Sequence, residues 1–419
     1  MSSVLELADR LWTGEADIAE HHPVGYFGEL TEVPGGGAFL PGFANVSAFE
    51  TSEGLVMFDT GSFATAQMVH EAFRGWSESC LHTVVFTHGH VDHVFGLPLW
   101  EEEAVAKGWI PPIVVAHENM PARFDRYLLT AGYNGAINRR QFQVDDLQWP
   151  TDYRYPDKTY RDTMEIEVGG ERFELHHAKG ETDDYTWTWI PGRKTICCGD
   201  LFIWAVPNAG NPQKVQRYPR EWAHALREMA ELDADVLLPG HGLPVVGADR
   251  VRDALSDSAA LLESLVEQTL ALMNDGAPLD AILHSVKAPE ELVSKPYLRP
   301  IYDEPEFIVR NLWRQFGGWY DGNPANLKPA PDARLAEELA ALAGGGEKLA
   351  ERALELAEAG ELRLAGHLAE MAALASPELE AARRAHAEVY ERRAEDATST
   401  MARGVFSAAA RESRAKLPE

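Results

Sequence analysis

The pattern of apolar and polar positions changes character once along this chain. Through the first half, apolar residues alternate or run in short blocks. Asn45 to Thr51 alternates, Ser52-Glu53-Gly54 interrupts, and Leu55-Val56-Met57-Phe58 follows as a block that ends at Asp59-Thr60-Gly61. This predicts a hairpin feeding a buried strand. Ala64 to Trp76 has helical spacing, and His82 to Phe86 and Pro112 to Ala116 are further apolar blocks. Glu165 to His176 alternates again, Trp187 to Ile190 and Thr195 to Cys198 flank the turn Pro191-Gly192, and Asp235 to Leu238 is a last short block. Strands alternating with helices predict a layered α/β sheet structure with helices outside. From Val251 helical spacing takes over, through Leu261, Leu262, Leu265, Leu270 and Leu272. Beyond the linker Lys328-Pro329-Ala330-Pro331, breaks at Gly344-Gly345-Gly346 and Gly360 delimit amphipathic helices over Glu347–Ala359, Leu362–Ala375 and Pro377–Ala394. A chain of 419 residues exceeds one ordinary core. The expected division is an α/β domain over 1–250 and an all-α domain over 251–419.

Three of the apolar blocks end at residues that bind metals. The first runs into Thr87-His88-Gly89-His90-Val91-Asp92-His93, the second into Gly199-Asp200 and the third into Pro239-Gly240-His241. Sites in layered α/β folds form at strand ends. His88 and His90, two apart on an extended segment, point to one side, and Asp92 and His93 follow within a turn. That nitrogen and oxygen set suits two borderline divalent cations, most simply zinc, with the imidazoles of His88 and His90 on one ion and Asp92 and His93 on the other. Asp200 suits a carboxylate bridging the two. The glycines around His241 allow close backbone approach, so His241 closes the second set. The rest must come from elsewhere: a resemblance to the metallo-β-lactamase pattern puts Glu181 where that pattern has a third histidine, and the alternative is His176 or His177, which sit at the end of a strand.

Composition narrows the partners. The formal net charge is −28, from 66 acidic and 38 basic side chains. Nucleic-acid phosphates and anionic membranes repel such a chain, so neither is an expected partner. Cys80, Cys197 and Cys198 give no disulfide framework. The first residues carry no basic segment followed by an apolar stretch, and no apolar run reaches the roughly eighteen residues of a membrane span. A cytoplasmic protein acting on a small molecule is expected.

The chain from about Gly42 onward resembles the alkylsulfatase branch of the metallo-β-lactamase superfamily. The histidine run carries the superfamily. The branch rests on Gly180-Glu181-Thr182, with glutamate in place of a third histidine, and on Gly317-Gly318-Trp319-Tyr320-Asp321-Gly322-Asn323-Pro324-Ala325-Asn326-Leu327, which resembles the opening of that branch's helical dimerisation domain. The resemblance implies an αβ/βα sandwich followed by an all-helical domain, a homodimer, and two zinc ions. It assigns His88, His90 and Glu181 to one ion, Asp92, His93 and His241 to the other, and Asp200 to the bridge where the family has glutamate. Two departures accompany it. The family's run after the bridging carboxylate carries histidines and an arginine; here Leu201 to Asn211 has neither and keeps only Asn208. The longer sulfatases also continue into a sterol-carrier-like domain.

A pair of divalent ions activates water for attack on an ester, so the expectation is a hydrolase of a sulfate ester or related ester, with Asp92 and Asn208 as catalytic candidates. A lactonase, phosphodiesterase or thioesterase on the same metal pair is the alternative. A non-enzymatic or oxidoreductase relative that uses iron is a third reading, with metal analysis as the discriminator. Three carboxylates among the ligands weaken the pull on an anion, which calls for Arg139, Arg140 or Arg217 nearby. The apolar residues Phe202, Ile203, Trp204, Val206 and Pro207 are expected to line a pocket for a bulky apolar group, or else to pack inside the protein.

Overall fold

The alternating first half resolves into two sheets. The computed structural model describes residues 4–418. The first sheet has β1 (Thr31–Val33), β2 (Gly37–Leu40), β3 (Val46–Thr51), β4 (Gly54–Phe58), β5 (Leu81–Val85), β6 (Ile113–His117) and β7 (Lys158–Tyr160) in that order. The second has β8 (Thr163–Val168), β9 (Glu171–Ala178), β10 (Tyr185–Ile190), β11 (Thr195–Gly199), β12 (Val236–Pro239) and β13 (Val245–Val246), again as sequential neighbours. The meander β1 to β4 is antiparallel, and β4 to β7 run parallel, with helices in the crossovers. Every residue of β4 is buried, as befits a central strand covered on both faces.

The two sheets face each other through aromatic side chains. Phe173 of β9 lies 6.2 Å from Phe58 of β4 and 6.4 Å from Phe49 of β3, ring centre to ring centre. Phe49 and Phe173 are fully buried. The Thr186 N–H of β10 donates to Thr87 O at 2.7 Å, so the end of β5 is held against the other sheet. The outcome is an αβ/βα sandwich followed by helices, in keeping with the expected fold class.

The chain divides into two compact units that depart from the expected boundary at 250. The first comprises the chain through Ala131 together with Pro150–Gly318; the second comprises Gly132–Trp149 and everything from Trp319. The long helix Ala248–Asn274 packs on the helix Pro219–Ala230 and so belongs with the sheets. Its leucines Leu255, Leu261, Leu262 and Leu265 are fully buried. In the second unit the expected helices appear as Gly346–Glu358, Leu362–Ala375 and Glu380–Asp396, and Asp332–Ala343 and Thr400–Arg414 flank them. The helix Ala131–Phe142, in the middle of the sequence, joins them: a side chain at Gly404 would collide with Gln141 O. No apolar pattern in the sequence marks that insertion. Among the described residues no helix is long and apolar enough to cross a membrane.

Candidate metal centre

The centre forms where β4, β5, β11 and β12 end. β4 delivers Asp59, whose backbone adopts a left-handed φ of 59°. Its Oδ1 accepts from the Thr87 N–H at 2.8 Å and its Oδ2 from the Thr87 hydroxyl at 2.7 Å, which pins the start of the histidine run. The same Oδ2 lies 2.7 Å from His93 Nδ1. A carboxylate on Nδ1 fixes the tautomer and leaves the Nε2 lone pair directed inward. Sequence reading left Asp59 as the end of a strand; an acidic residue directly after a fully apolar block was the available signal.

The ligand-type atoms converge. His88 Nε2 and His90 Nδ1 lie 2.7 Å apart, and His90 Nδ1 is 3.6 Å from Glu181 Oε2. Asp92 Oδ2 is 3.6 Å from both His93 Nε2 and His241 Nε2. Asp200 stands between the sets: Oδ2 is 3.6 Å from His88 Nε2 and 3.2 Å from His241 Nε2, and Oδ1 is 3.5 Å from His93 Nε2. A side chain at Gly240 would collide with Asp200 Oδ1, so only glycine lets β12 reach this point. All seven predicted ligand residues therefore meet. His176 stacks on Trp187 at 4.2 Å and His177 on His117 at 3.6 Å, with His177 Nδ1 on Tyr185 O, and neither joins the cluster.

The electrostatics fit a cation. Burial, reinforced by neighbouring His93, holds His88 neutral, and burial with His88 beside it does the same for His90. Asp200 stays ionised: burial opposes its charge, but His241 and His93 outweigh burial. Burial also opposes charge on His93, but the carboxylates of Asp200, Asp59 and Asp92 prevail, so a positive charge at Nε2, whether a proton or a metal ion, is favoured. Two buried polar atoms, His93 Nε2 and Asp200 Oδ1, have no hydrogen-bond partner. Orphaned polar atoms this deep call for an explanation, and imidazole nitrogen beside carboxylate oxygen is the donor set of a divalent ion.

Around the centre stand the expected Asn208 and Arg217, together with Tyr185, Lys214 and Tyr302, which the sequence reading missed. Tyr185 of β10 stacks on His88 at 4.6 Å, and its hydroxyl accepts from the Asp200 N–H. Asn208 Nδ2 donates to Glu181 Oε1 at 2.7 Å, so Asn208 orients that carboxylate. Arg217, fully buried, lies 2.5 Å from Glu181 Oε2 and donates to Asn208 O at 2.8 Å. The half-buried Lys214 feels Asp92 and Glu181; burial and the neighbouring Arg217 still draw its ammonium down to about 8. Tyr302 keeps its phenolic proton because burial and the charges of Glu181 and Asp92 oppose ionisation.

The other substrate candidates have partners of their own. Arg139 and Arg140 belong to the second unit, where Arg139 donates to Leu147 O at 2.8 Å. Trp204 is fully buried, bonds Leu243 O through its indole N–H at 2.6 Å, and meets Trp12 edge-on at 6.3 Å. Phe202, Ile203 and Val206 are buried likewise. The apolar loop after Asp200 therefore packs within the first unit. An apolar run bounded by two functional residues reads equally as pocket or as core, and here the core prevailed.

Comparison with known proteins agrees with this architecture. The family model of the metallo-beta-lactamase superfamily matches residues 40–241, and that of alkyl sulfatase dimerisation matches residues 279–416. A linear primary-alkylsulfatase from a Pseudomonas strain is 27% identical over 322 residues, covering 72% of this chain and 61% of that protein. An (R)-specific secondary-alkylsulfatase from Pseudomonas sp. is 27% identical over 409 residues, covering 90% and 60%. The chain thus spans about three fifths of the length of these curated relatives. The solved structure of the stereoselective inverting sec-alkylsulfatase Pisa1 from Pseudomonas sp. superposes with a TM-score of 0.84 at 25% identity, over 93% of this chain and 66% of that one. With a family model matched on each side of residue 250 and a shared arrangement along nearly its whole length, the chain combines a metallo-beta-lactamase-type region with an alkyl sulfatase dimerisation-type region and is similar to the alkylsulfatases throughout.

Proposed function

We propose that this protein is a metal-dependent hydrolase of sulfate esters working with two divalent ions, zinc in the simplest case. The observation that carries this reading is the meeting of seven ligand-type side chains around two orphaned buried atoms, His93 Nε2 and Asp200 Oδ1. His88, His90 and Glu181 would hold one ion, Asp92, His93 and His241 the other, and Asp200 both. Ions bound there would polarise the ester and make water acidic enough to attack near neutral pH. The protein's own residues prepare the rest. Asp59 holds His93 in the tautomer that presents Nε2. Asn208 and Arg217 fix Glu181 from its two oxygens, so its direction does not depend on the ion alone. Lys214 offers local attraction to an anionic ester, which the net charge of −28 would otherwise repel. Tyr302, held protonated by burial and by Glu181 and Asp92, is a candidate donor to a sulfate or leaving-group oxygen. The alkylsulfatase names of the relatives support sulfate over phosphate or lactone.

A homodimer belongs to the same reading. Leu335, Leu339 and Leu342 share one face of the helix Asp332–Ala343, and Leu342 is 85% exposed. The match to the alkyl sulfatase dimerisation model includes that helix. The three unpaired cysteines suit a reducing cytoplasm.

The test is metal analysis of the purified protein followed by assay on aryl sulfates, dodecyl sulfate, aryl phosphates and lactones. About two divalent ions per chain and sulfate release are expected. Turnover confined to phosphate esters or lactones would discard the sulfatase reading while keeping the metal pair.

A further inference from the structure

A buried arginine outside the ligand set ties together the two loops that carry His88, His90 and Glu181. Arg123 lies in the helix Met120–Leu129 and is 7% exposed. Its Nη2 donates to Asp183 Oδ1. Its Nε lies 3.2 Å from Asp184 Oδ1, close enough for charge attraction but without hydrogen-bond alignment. Asp184 is fully buried, and its other oxygen accepts from the Gly89 N–H at 3.0 Å. Gly89 is the residue between His88 and His90, while Asp183 and Asp184 close the turn that begins at Gly180 and presents Glu181. One cation therefore fixes, through two carboxylates, the two loops that supply His88, His90 and Glu181.

The brace leaves little play. A side chain at Gly89 would come within 3.0 Å of Asp184 Oδ2 and 3.2 Å of Arg123 Cδ. Asn119, just before the same helix, donates from Nδ2 to Asp183 O at 2.9 Å, so the helix grips the turn twice. The second ion position is supported differently. His93 leans on Asp59 and His241 on the carbonyl of Phe43, and neither bond involves Arg123. A buried ion pair is weak ground for stability, since an apolar pair of equal volume can serve as well. What charge adds here is direction: an oxygen aimed at one backbone N–H and held there.

We infer that Arg123, acting with Asp183 and Asp184, is a positioning residue that sets the affinity of the His88–His90–Glu181 ion position and leaves the Asp92–His93–His241 position largely untouched. The inference rests on the two-ion reading above. Supporting residues of this kind change metal affinity by roughly 10–100-fold when removed.

The experiment is titration of metal-free protein with Co²⁺, read by visible absorption, together with zinc counts after dialysis at fixed free Zn²⁺. The variants are Arg123→Met, Asp184→Ala and Asp184→Asn, with His241→Ala identifying the step that belongs to the second position. Wild type should take up two ions. Arg123→Met and Asp184→Ala should keep the step that His241→Ala removes and weaken the other by roughly 10–100-fold. Asp184→Asn, which retains an oxygen for the Gly89 N–H, should recover part of that loss. Should Arg123→Met fail to fold by circular dichroism, Asp183→Asn, at the more exposed end of the brace, should give a smaller shift in the same step. Wild-type affinities at both steps in Asp184→Ala and Asp183→Asn, or equal weakening of both steps, would overturn the inference. A wild type that takes up fewer than two ions overturns the two-ion reading, and this inference with it, before any variant is compared.

Discussion

The two units of this protein are built from different materials. The large fully buried side chains of the first include Trp100, Trp222, Phe49, Phe86, Phe124, Phe173 and Tyr185, and among them sit buried charges: Asp59, Glu181, Asp184, Asp200 and Arg217. The second is packed with small residues. Ala353, Ala365, Ala369, Ala372, Ala382 and Ala385 are fully buried, with Leu349, Leu356 and Val389 between them. Alanine lets helices approach closely at little entropic cost but fills little volume and holds nothing polar. Aromatic rings on two facing sheets create a thick, stiff layer against which carboxylates and imidazoles can be aimed and kept dry. The difference teaches that the first unit is shaped around its polar centre, while the second is shaped for helix contact.

Emptying the centre should give the largest effect. Chelation, or His93→Ala, should abolish ester hydrolysis while far-UV circular dichroism stays folded. Full activity in demetallated protein would remove the reason for the first unit's buried charges. Next, Phe173→Ala opens the layer between the sheets and should lower stability by about 3–5 kcal/mol, measured by urea unfolding; a cost below about 1 kcal/mol would mean that the sheets do not depend on that contact. In the second unit the sensitivity should have the opposite sign in volume. Ala365→Leu overfills a helix contact and should cost about 1–3 kcal/mol. A neutral result there would show slack in the alanine core and break the contrast. Glu181→Ala should lower metal content, whereas His177→Ala should leave both metal content and turnover near wild type, as judged by zinc counts. The smallest change in folding is expected from Leu342→Glu, an exposed position whose stability cost should stay within about 0.5 kcal/mol, yet light scattering should report loss of the dimer. An unchanged dimer would send the interface to another face.

Much of the centre was legible because it was local. His88, His90, Asp92 and His93 lie within six positions at the end of an apolar block, and Asp200 and His241 end blocks of their own. What the sequence left open was which of several polar residues at a strand end turns inward. His177 and Glu181 are four apart, and only the stacking of His177 on His117 against the burial of Glu181 separates them. Arg139 and Arg140 looked available because charge in a sequence carries no address. The helix that bears them joins the second unit from 187 residues away, counted from Gly132 to Trp319, and long-range pairing of that kind leaves no periodic trace. The supporting residues Arg123 and Asp184 were invisible for a related reason: a charged side chain that braces a loop has the same local context as one on the surface.

Tyr185 carries a consequence for how the protein comes together. Strand side chains alternate, so a slip of β10 by one residue against β9 would turn Tyr185 to the opposite face and bring Asp184 or Thr186 into its place. His88 would lose its stacking partner and the Asp200 N–H its acceptor in the same event. Hairpin register and ion site are thus accepted or rejected together. During refolding, uptake of metal should coincide with correct pairing of β9 and β10 and not precede it, so that the appearance of the centre times the closing of the second sheet.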